Sequence, residues 1–206
     1  WTDELQEAEG TQNFLNAVQN YPLLKGVQTN LYKCFMPLVW RLSGLNVVSG
    51  LLHPEGPYDD PRGGSLREAM YGRLRTHFQF ANAFFLFADV HHQTRYGVHI
   101  YGRPRPEVGF DHISNLFVPA TVDLCYQHEG NGVVGGIKSD NGQWNISGHR
   151  DRVVRINDVA LAIFARLYDE LGTPPRRAGL PALHSAALSI VLAKLAAYPR
   201  RLSVLG

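Results

Sequence analysis

The run Asn46-Val47-Val48-Ser49-Gly50-Leu51-Leu52-His53-Pro54-Glu55-Gly56 constrains the fold more than any other stretch of this chain. Residues 47–52 read as a short, near-continuous apolar strand, and a polar turn containing glycine follows. An apolar helical segment precedes the strand, and a second opens at Gly63-Gly64-Ser65-Leu66-Arg67-Glu68. Helix, strand, turn, helix is the repeat of an open α/β sheet, in which buried strands are short apolar runs. Ligands of such sheets bind just beyond the carboxyl ends of the strands. The turn over 53–60 is therefore the first place to look for chemistry.

The neighbouring segments extend this unit. Residues 1–20 are polar with scattered apolar positions and read as a helical or irregular lead-in. Thr29-Asn30 gives a cap signal for a helix over 31–42, with a kink expected at Pro37. Ser65 caps a helix expected over 66–78, with Leu66, Met70, Leu74 and Phe78 at helical spacing. Residues 80–87 are an aromatic strand candidate and 96–101 the returning strand, so an antiparallel hairpin is expected in the same sheet. The proline-rich 103–109 reads as a linker. Residues 110–126 hold an apolar stretch, helical from Pro119, and 129–148 form a loop or loose hairpin anchored by Trp144. A brief strand over 153–156 leads to Asn157-Asp158, which caps a helix over 159–171. A last helix runs over 181–198.

A net charge of +2 excludes a strongly basic chain, although arginines gather late at positions 150, 152, 155, 166, 176, 177, 200 and 201. That skew suits phosphate contacts or a solvated surface equally. Cys34 and Cys125 lie among apolar residues, as reduced thiols of a cytoplasmic protein do. No run is long enough to span a membrane. The chain opens at Trp1, not Met, and reads as a piece of a longer polypeptide.

The candidate constellations are few. His53 beside Glu55, at a strand end, stands equally as an acid–base pair and as a structural pair. Glu55 with Asp59-Asp60 offers a divalent-cation site against the more ordinary solvated turn. His91-His92 are adjacent on a hairpin and point to opposite sides, so they are no ligand pair. Gly148-His149-Arg150-Asp151-Arg152 is at most a phosphate or structural contact. No metal-ligand set is expected, and neither a P-loop nor a G-x-G-x-x-G or G-x-S-x-G motif occurs.

In order, the segments resemble the later half of an adenine-specific DNA methyltransferase. Asn30-Leu31-Tyr32-Lys33-Cys34-Phe35 resembles the N/D-L-Y-x-x-F helix of that family. Residues 48–56 resemble its next strand and active-site turn, Leu66-Arg67-Glu68 its L-R-x-x-L helix, and 87–101 its final hairpin. The likeness is greatest to large methyltransferases of restriction-modification and phage-defence systems, of type IIG, BREX and DISARM kinds. The resemblance implies an α/β fold, the later half of a Rossmann-like methyltransferase sheet with a terminal β-hairpin, over 1–109. A mostly helical connector toward a target-recognition region would occupy 110–206. It implies S-adenosylmethionine as cofactor, and as partners double-stranded DNA and other proteins of the defence system. The family's glycine-rich cofactor loop and Asn/Asp-Pro-Pro-Tyr/Phe tetrapeptide do not occur here. No catalytic residue is therefore expected in this chain, which alone should be inactive. A pocket for the flipped base would be lined by Phe87, His53, Pro54 and Glu55, with Phe87 as the stacking face or, alternatively, as a core aromatic. Two other readings remain: a non-catalytic DNA-binding or assembly module, and a small metal-dependent hydrolase using His53, Glu55 and Asp59 or Asp60.

Overall fold

The structure, a computed structural model, describes residues 1–44 and 46–198. It is an α/β fold built on one five-stranded mixed sheet, with strand order β1-β3-β2-β4-β5 among the described residues. The strands are β1 (Ser49–Pro54), β2 (Leu74–Ala81), β3 (Arg95–Tyr101), β4 (Gly109–Leu116) and β5 (Val154–Asn157). The helices are α1 (Thr2–Asn16), α2 (Leu31–Leu42), α3 (Gly56–Asp59), α4 (Gly64–Tyr71), α5 (Ala120–Gln127), α6 (Asp158–Tyr168) and α7 (Ala186–Ala197).

β3 pairs antiparallel with β1 on one side and with β2 on the other, while β2 and β4 run parallel. It follows that β1, β2 and β4 end at the same edge of the sheet. The expected antiparallel pairing is present, with Phe80 opposite Tyr96 and Phe78 opposite Val98, but it is not terminal: β2 pairs on its other side with β4, and β4 and β5 of the expected connector extend the sheet. The first strand of the pair starts earlier than expected. Helix α4 ends at Tyr71, so Leu74 and Phe78 belong to β2 and not to a helix over 66–78. The two periodicities overlap here, because residues four apart share a face in a strand as well as in a helix. Residues 82–87, read as strand, form the loop beyond β2.

The strand over 47–52 exists but is displaced to Ser49–Pro54, and it is not buried. It lies at the sheet edge, paired only with β3, and Val47, Val48 and Leu52 are exposed. An apolar run alone does not separate an edge strand from a central one. β4 escaped the sequence reading altogether. Its residues Asp111, His112, Ser114 and Asn115 are polar, yet His112 and Ser114 are fully buried. β5 and the Asn157 cap of α6 lie where the pattern puts them, with the Asn157 side chain accepting from Ala160 N at 2.9 Å. The division at 109/110 falls at the head of β4, whose sheet neighbours β2 and β5 lie on either side of it in the chain.

The two faces of the sheet carry different cores. On one, Tyr101, Phe110, Val154 and Ile156 pack with Cys34 and Met36 of α2, Leu66, Met70 and Tyr71 of α4, and Leu161 and Phe164 of α6. On the other, Phe80, Tyr96, Ile113 and Leu116 pack with Cys125 of α5. Both cysteines are free and buried. α1 buries none of its residues. No helix among the described residues is long and apolar enough to cross a membrane.

The late arginines are mostly structural. β4 carries an extra residue at Ser114-Asn115, where its register to β2 shifts and Asn115 has φ of 55°. Such a bulge frees carbonyls from the ladder. Buried Arg152 takes them up, donating to Ser114 O at 3.0 Å and Asn115 O at 3.1 Å, and also to Ser147 O at 2.8 Å. Arg155 pairs with Asp111, Arg176 with Asp158 and Arg177 with Glu68. Arg200 and Arg201 lie outside the described residues.

Candidate functional site

β1 delivers the sequence His53-Pro54-Glu55 to the carboxyl edge, and the two-residue alternation of a strand splits it. Pro54 is paired with Tyr96 and has its side chain exposed. His53 and Glu55 turn the other way and are buried. The four residues expected to line one pocket are thus not all on one surface: Pro54 and Phe87 lie at the surface near Tyr96, and His53 and Glu55 lie beneath it.

The turn is held from several sides. Arg67, the arginine of Leu66-Arg67-Glu68, is buried and donates to Pro57 O at 3.1 Å and Asp60 O at 2.6 Å. Lys33 on α2 reaches Asp60 Oδ2 at 3.1 Å. Two of the motifs singled out in the sequence therefore clamp the same turn. His53 has both ring nitrogens engaged, Nδ1 with Pro54 O at 2.8 Å and Nε2 with the Tyr101 hydroxyl at 3.3 Å. Its ring stacks on His99 with centroids 3.7 Å apart. Burial pushes the His53 imidazole down to about 4.

Glu55 opens onto a feature the sequence reading missed. His99 of β3, His77 of β2 and His112 of β4 stand opposite one another on neighbouring strands. Their rings stack in a row, His99 on His77 at 4.7 Å and His77 on His112 at 4.8 Å, and all three are fully buried. Glu55 lies against this row: Oε1 is 3.0 Å from His77 Nε2, and Oε2 accepts from Gln79 Nε2 at 2.9 Å. Burial alone would raise the Glu55 carboxyl, but the His77 charge and hydrogen bond, with Gln79 and His53, hold it below its ordinary value. An ionised carboxylate only accepts, so His77 Nε2 carries the proton. On its far side His77 Nδ1 lies 3.0 Å from His112 Nδ1, so one of these two nitrogens donates to the other. Burial pushes both His99 and His112 well below the usual histidine range. Gly97 makes the arrangement possible, because a Cβ there would collide with Glu55 Oε1 and the His99 ring. The signal available in the sequence was one histidine in the middle of each of three strands, His77, His99 and His112.

The other half of the edge is the loop after β2. Asn82 is fully buried and pins it: its Nδ2 donates to Phe87 O at 2.9 Å and Val90 O at 2.7 Å, and its Oδ1 accepts from Phe87 N at 3.0 Å. Held in this way, the loop presents four consecutive apolar side chains to solvent: Phe84 is 46% exposed, Phe85 57%, Leu86 44% and Phe87 39%. Phe87 is therefore not a fully buried core aromatic, although its ring packs edge-on against buried Tyr96 of the second core, centroids 5.0 Å apart. Phe85 has φ of 53°, a conformation that costs a bulky residue roughly 1–2 kcal/mol. Phe84 meets the buried Phe117, which packs on the partly exposed Trp144 at 4.6 Å.

A cleft of 860 Å³ lies elsewhere, between Asp59-Asp60-Arg62 and Asp169-Glu170-Arg177, and mixes both charge signs. His53, Glu55, Asp59 and Asp60 do not converge in an open site, since the first two are buried and Asp60 is paired with Lys33.

No family model matches the chain, and no curated protein matches it. Among solved structures it is similar to the type IIG restriction endonuclease BpuSI, at 20% identity and TM-score 0.34, over 47% of this chain and 12% of that one. It is similar to the M protein of the type I restriction enzyme EcoKI, at 12% identity and TM-score 0.42, over 82% and 43%. It is also similar to a chain from a type I R-M system, at 14% identity and TM-score 0.45, over 86% and 38%. The chain spans less than half the length of each of these. Likenesses at this level do not speak for function.

Proposed function

We propose that the chain forms the later half of the catalytic domain of an adenine-specific DNA methyltransferase in a restriction-modification or phage-defence system. The observation that carries this reading is the Asn82-pinned loop, which holds Phe84, Phe85, Leu86 and Phe87 exposed at the carboxyl edge of the sheet. Runs of exposed apolar residues are disfavoured unless they bind something, and this one includes a strained aromatic. A base cannot be methylated at its exocyclic amine inside a duplex and must be flipped into a pocket that stacks it. Phe87 is the stacking face, and Pro54 lies on the same side near Tyr96. His53 and Glu55 act from behind, fixing the turn that carries Pro54.

S-adenosylmethionine would supply the methyl group. The chain holds neither the glycine-rich strand-to-helix loop nor the Asn-Pro-Pro-Tyr-like tetrapeptide of the family, so its residues do not form the cofactor's main cradle. The part played by this chain is to bind and orient the extruded base and to keep water from its stacked face. Double-stranded DNA and other proteins of the same system are the partners. The test is to express the full polypeptide in a host without adenine methylation and to digest its DNA to nucleosides for mass spectrometry. N6-methyladenine above the vector control is expected. A folded, well-expressed protein that leaves the DNA unmethylated would overturn the assignment.

A further inference from the structure

We infer that Glu55, His77 and His99 form a binding site for one divalent transition-metal cation, zinc foremost, which ties the end of β1 to β2 and β3. Three residues far apart in sequence place one ligand atom each within 4.8 Å of one another, all buried. Glu55 Oε1 lies 3.0 Å from His77 Nε2 and 3.6 Å from His99 Nε2. Ligands of a tetrahedral zinc at about 2.0–2.2 Å stand roughly 3.4 Å apart, so the two separations to Glu55 bracket the expected one. The His77 and His99 rings, stacked with planes 15° apart, must turn on binding for both lone pairs to reach one ion.

An independent observation points the same way. His99 is fully buried and neither of its ring nitrogens has a hydrogen-bond partner; Nε2 is the one that faces Glu55, and Nδ1 would stay unpaired with a cation bound. Leaving a buried polar atom unpaired costs about 1–3 kcal/mol. A cation between Glu55 and the two imidazoles removes that cost by coordinating the free lone pair. The surroundings are those of an oriented ligand set. Gln79 holds the second Glu55 oxygen, and His112 holds the far nitrogen of His77. Outer-shell partners of this kind fix carboxylate direction and imidazole tautomer. Gly97 leaves room that any side chain would fill.

Two imidazoles and one carboxylate suit zinc and its first-row neighbours better than calcium or magnesium, which prefer oxygen ligands. Binding displaces the proton by which His77 bonds Glu55 and releases it to solvent. The role is structural. The cation fixes the Pro54–Glu55 turn from beneath, whatever reaction the edge above supports.

Equilibrium dialysis of the full polypeptide, stripped with chelator and returned to zinc chloride alone, tests this. One tightly held equivalent at these residues is expected. His99→Asn and His77→Asn should each weaken uptake at least about tenfold. His91→Asn and His92→Asn, at the exposed hairpin tip, should leave it unchanged. Anomalous scattering at the zinc edge from crystals of the unaltered protein gives a reading that does not depend on variant folding. A peak within bonding distance of Glu55, His77 and His99 is expected. No stoichiometric uptake, uptake insensitive to His99→Asn in a folded variant, or an anomalous peak at the His91-His92 pair alone would each overturn the site.

Discussion

Replacing Asn82 by alanine removes three hydrogen bonds: two donated to Phe87 O and Val90 O, and one accepted from Phe87 N, with Phe87 O keeping its bond from Val90 N. Each is worth about 0.5–1.5 kcal/mol net, and water can repair part of the loss at an exposed loop, so roughly 2–3 kcal/mol is expected. The strain at Phe85, whose amide bonds Asn82 O, has the opposite sign for stability: a freed loop relaxes its φ of 53°, which offsets part of the loss and moves the aromatic face. In a chain of 206 residues the loss lowers Tm by about 4–12 °C if it is felt globally. If it is felt locally, Tm holds and amide exchange over 85–90 accelerates. Asn82→Asp separates hydrogen bonding from packing. It keeps the acceptor for Phe87 N but turns a buried carboxylate toward two carbonyl oxygens, so it should destabilise at least as much as alanine at pH 7. Its folded-state pKa is raised, so the deficit relative to the unaltered protein shrinks as pH falls. Hydrogen exchange by mass spectrometry with urea unfolding at two pH values reads both effects. Unchanged exchange over 85–90 together with unchanged stability in Asn82→Ala would refute the claim that this side chain holds the loop.

Gly97→Ala forces a Cβ into Glu55 Oε1 and the His99 ring, and overpacking of this kind should cost about 1–3 kcal/mol in urea unfolding. His53 titrates at about 4 in the fold against an ordinary 6.5, so its contribution, roughly 3 kcal/mol, is complete above pH 6.5 and lost as pH falls toward 4. His99 and His112 shift the same way, and a urea midpoint that stays flat between pH 7 and pH 5 would contradict the burial of His53, His99 and His112 as neutral imidazoles. Arg152→Met leaves the Ser114, Asn115 and Ser147 carbonyls unpaired. It should cost several times the roughly 0.5 kcal/mol of an exposed substitution, as read by thermal unfolding.

What was legible in the sequence followed local rules. The Asn30 and Asn157 caps, the hairpin pairing of β2 with β3, and the brief strand near residue 154 all rest on signals within a few residues. What was hidden depends on partners distant in the chain. β4 interrupts its apolar residues with polar ones, among them a buried histidine and serine, so no strand alternation showed in what read as a short apolar stretch. The histidine row joins residues 53, 77, 99 and 112, and no spacing within one element announces it. The exposed side chain of Phe87 was not readable either. A run of aromatic residues looks like a core strand until the buried Asn82 side chain is seen to bend the backbone outward.

The central claim is that Phe87 receives a flipped adenine, and single-turnover methylation by the full polypeptide tests it most directly. The assay follows labelled methyl transfer from S-adenosylmethionine to unmodified DNA for the unaltered protein, Phe87→Ala and Phe87→Trp, each with its melting temperature. Base–aromatic stacking is worth about 1–3 kcal/mol, so Phe87→Ala should weaken productive DNA binding about tenfold to a hundredfold. Its partly exposed position should keep the loss of folding stability below the about 3–5 kcal/mol of a buried Phe→Ala change. Phe87→Trp should retain most of the activity, because it keeps an aromatic face. A Phe87→Ala protein that methylates at the unaltered rate and affinity would contradict the account.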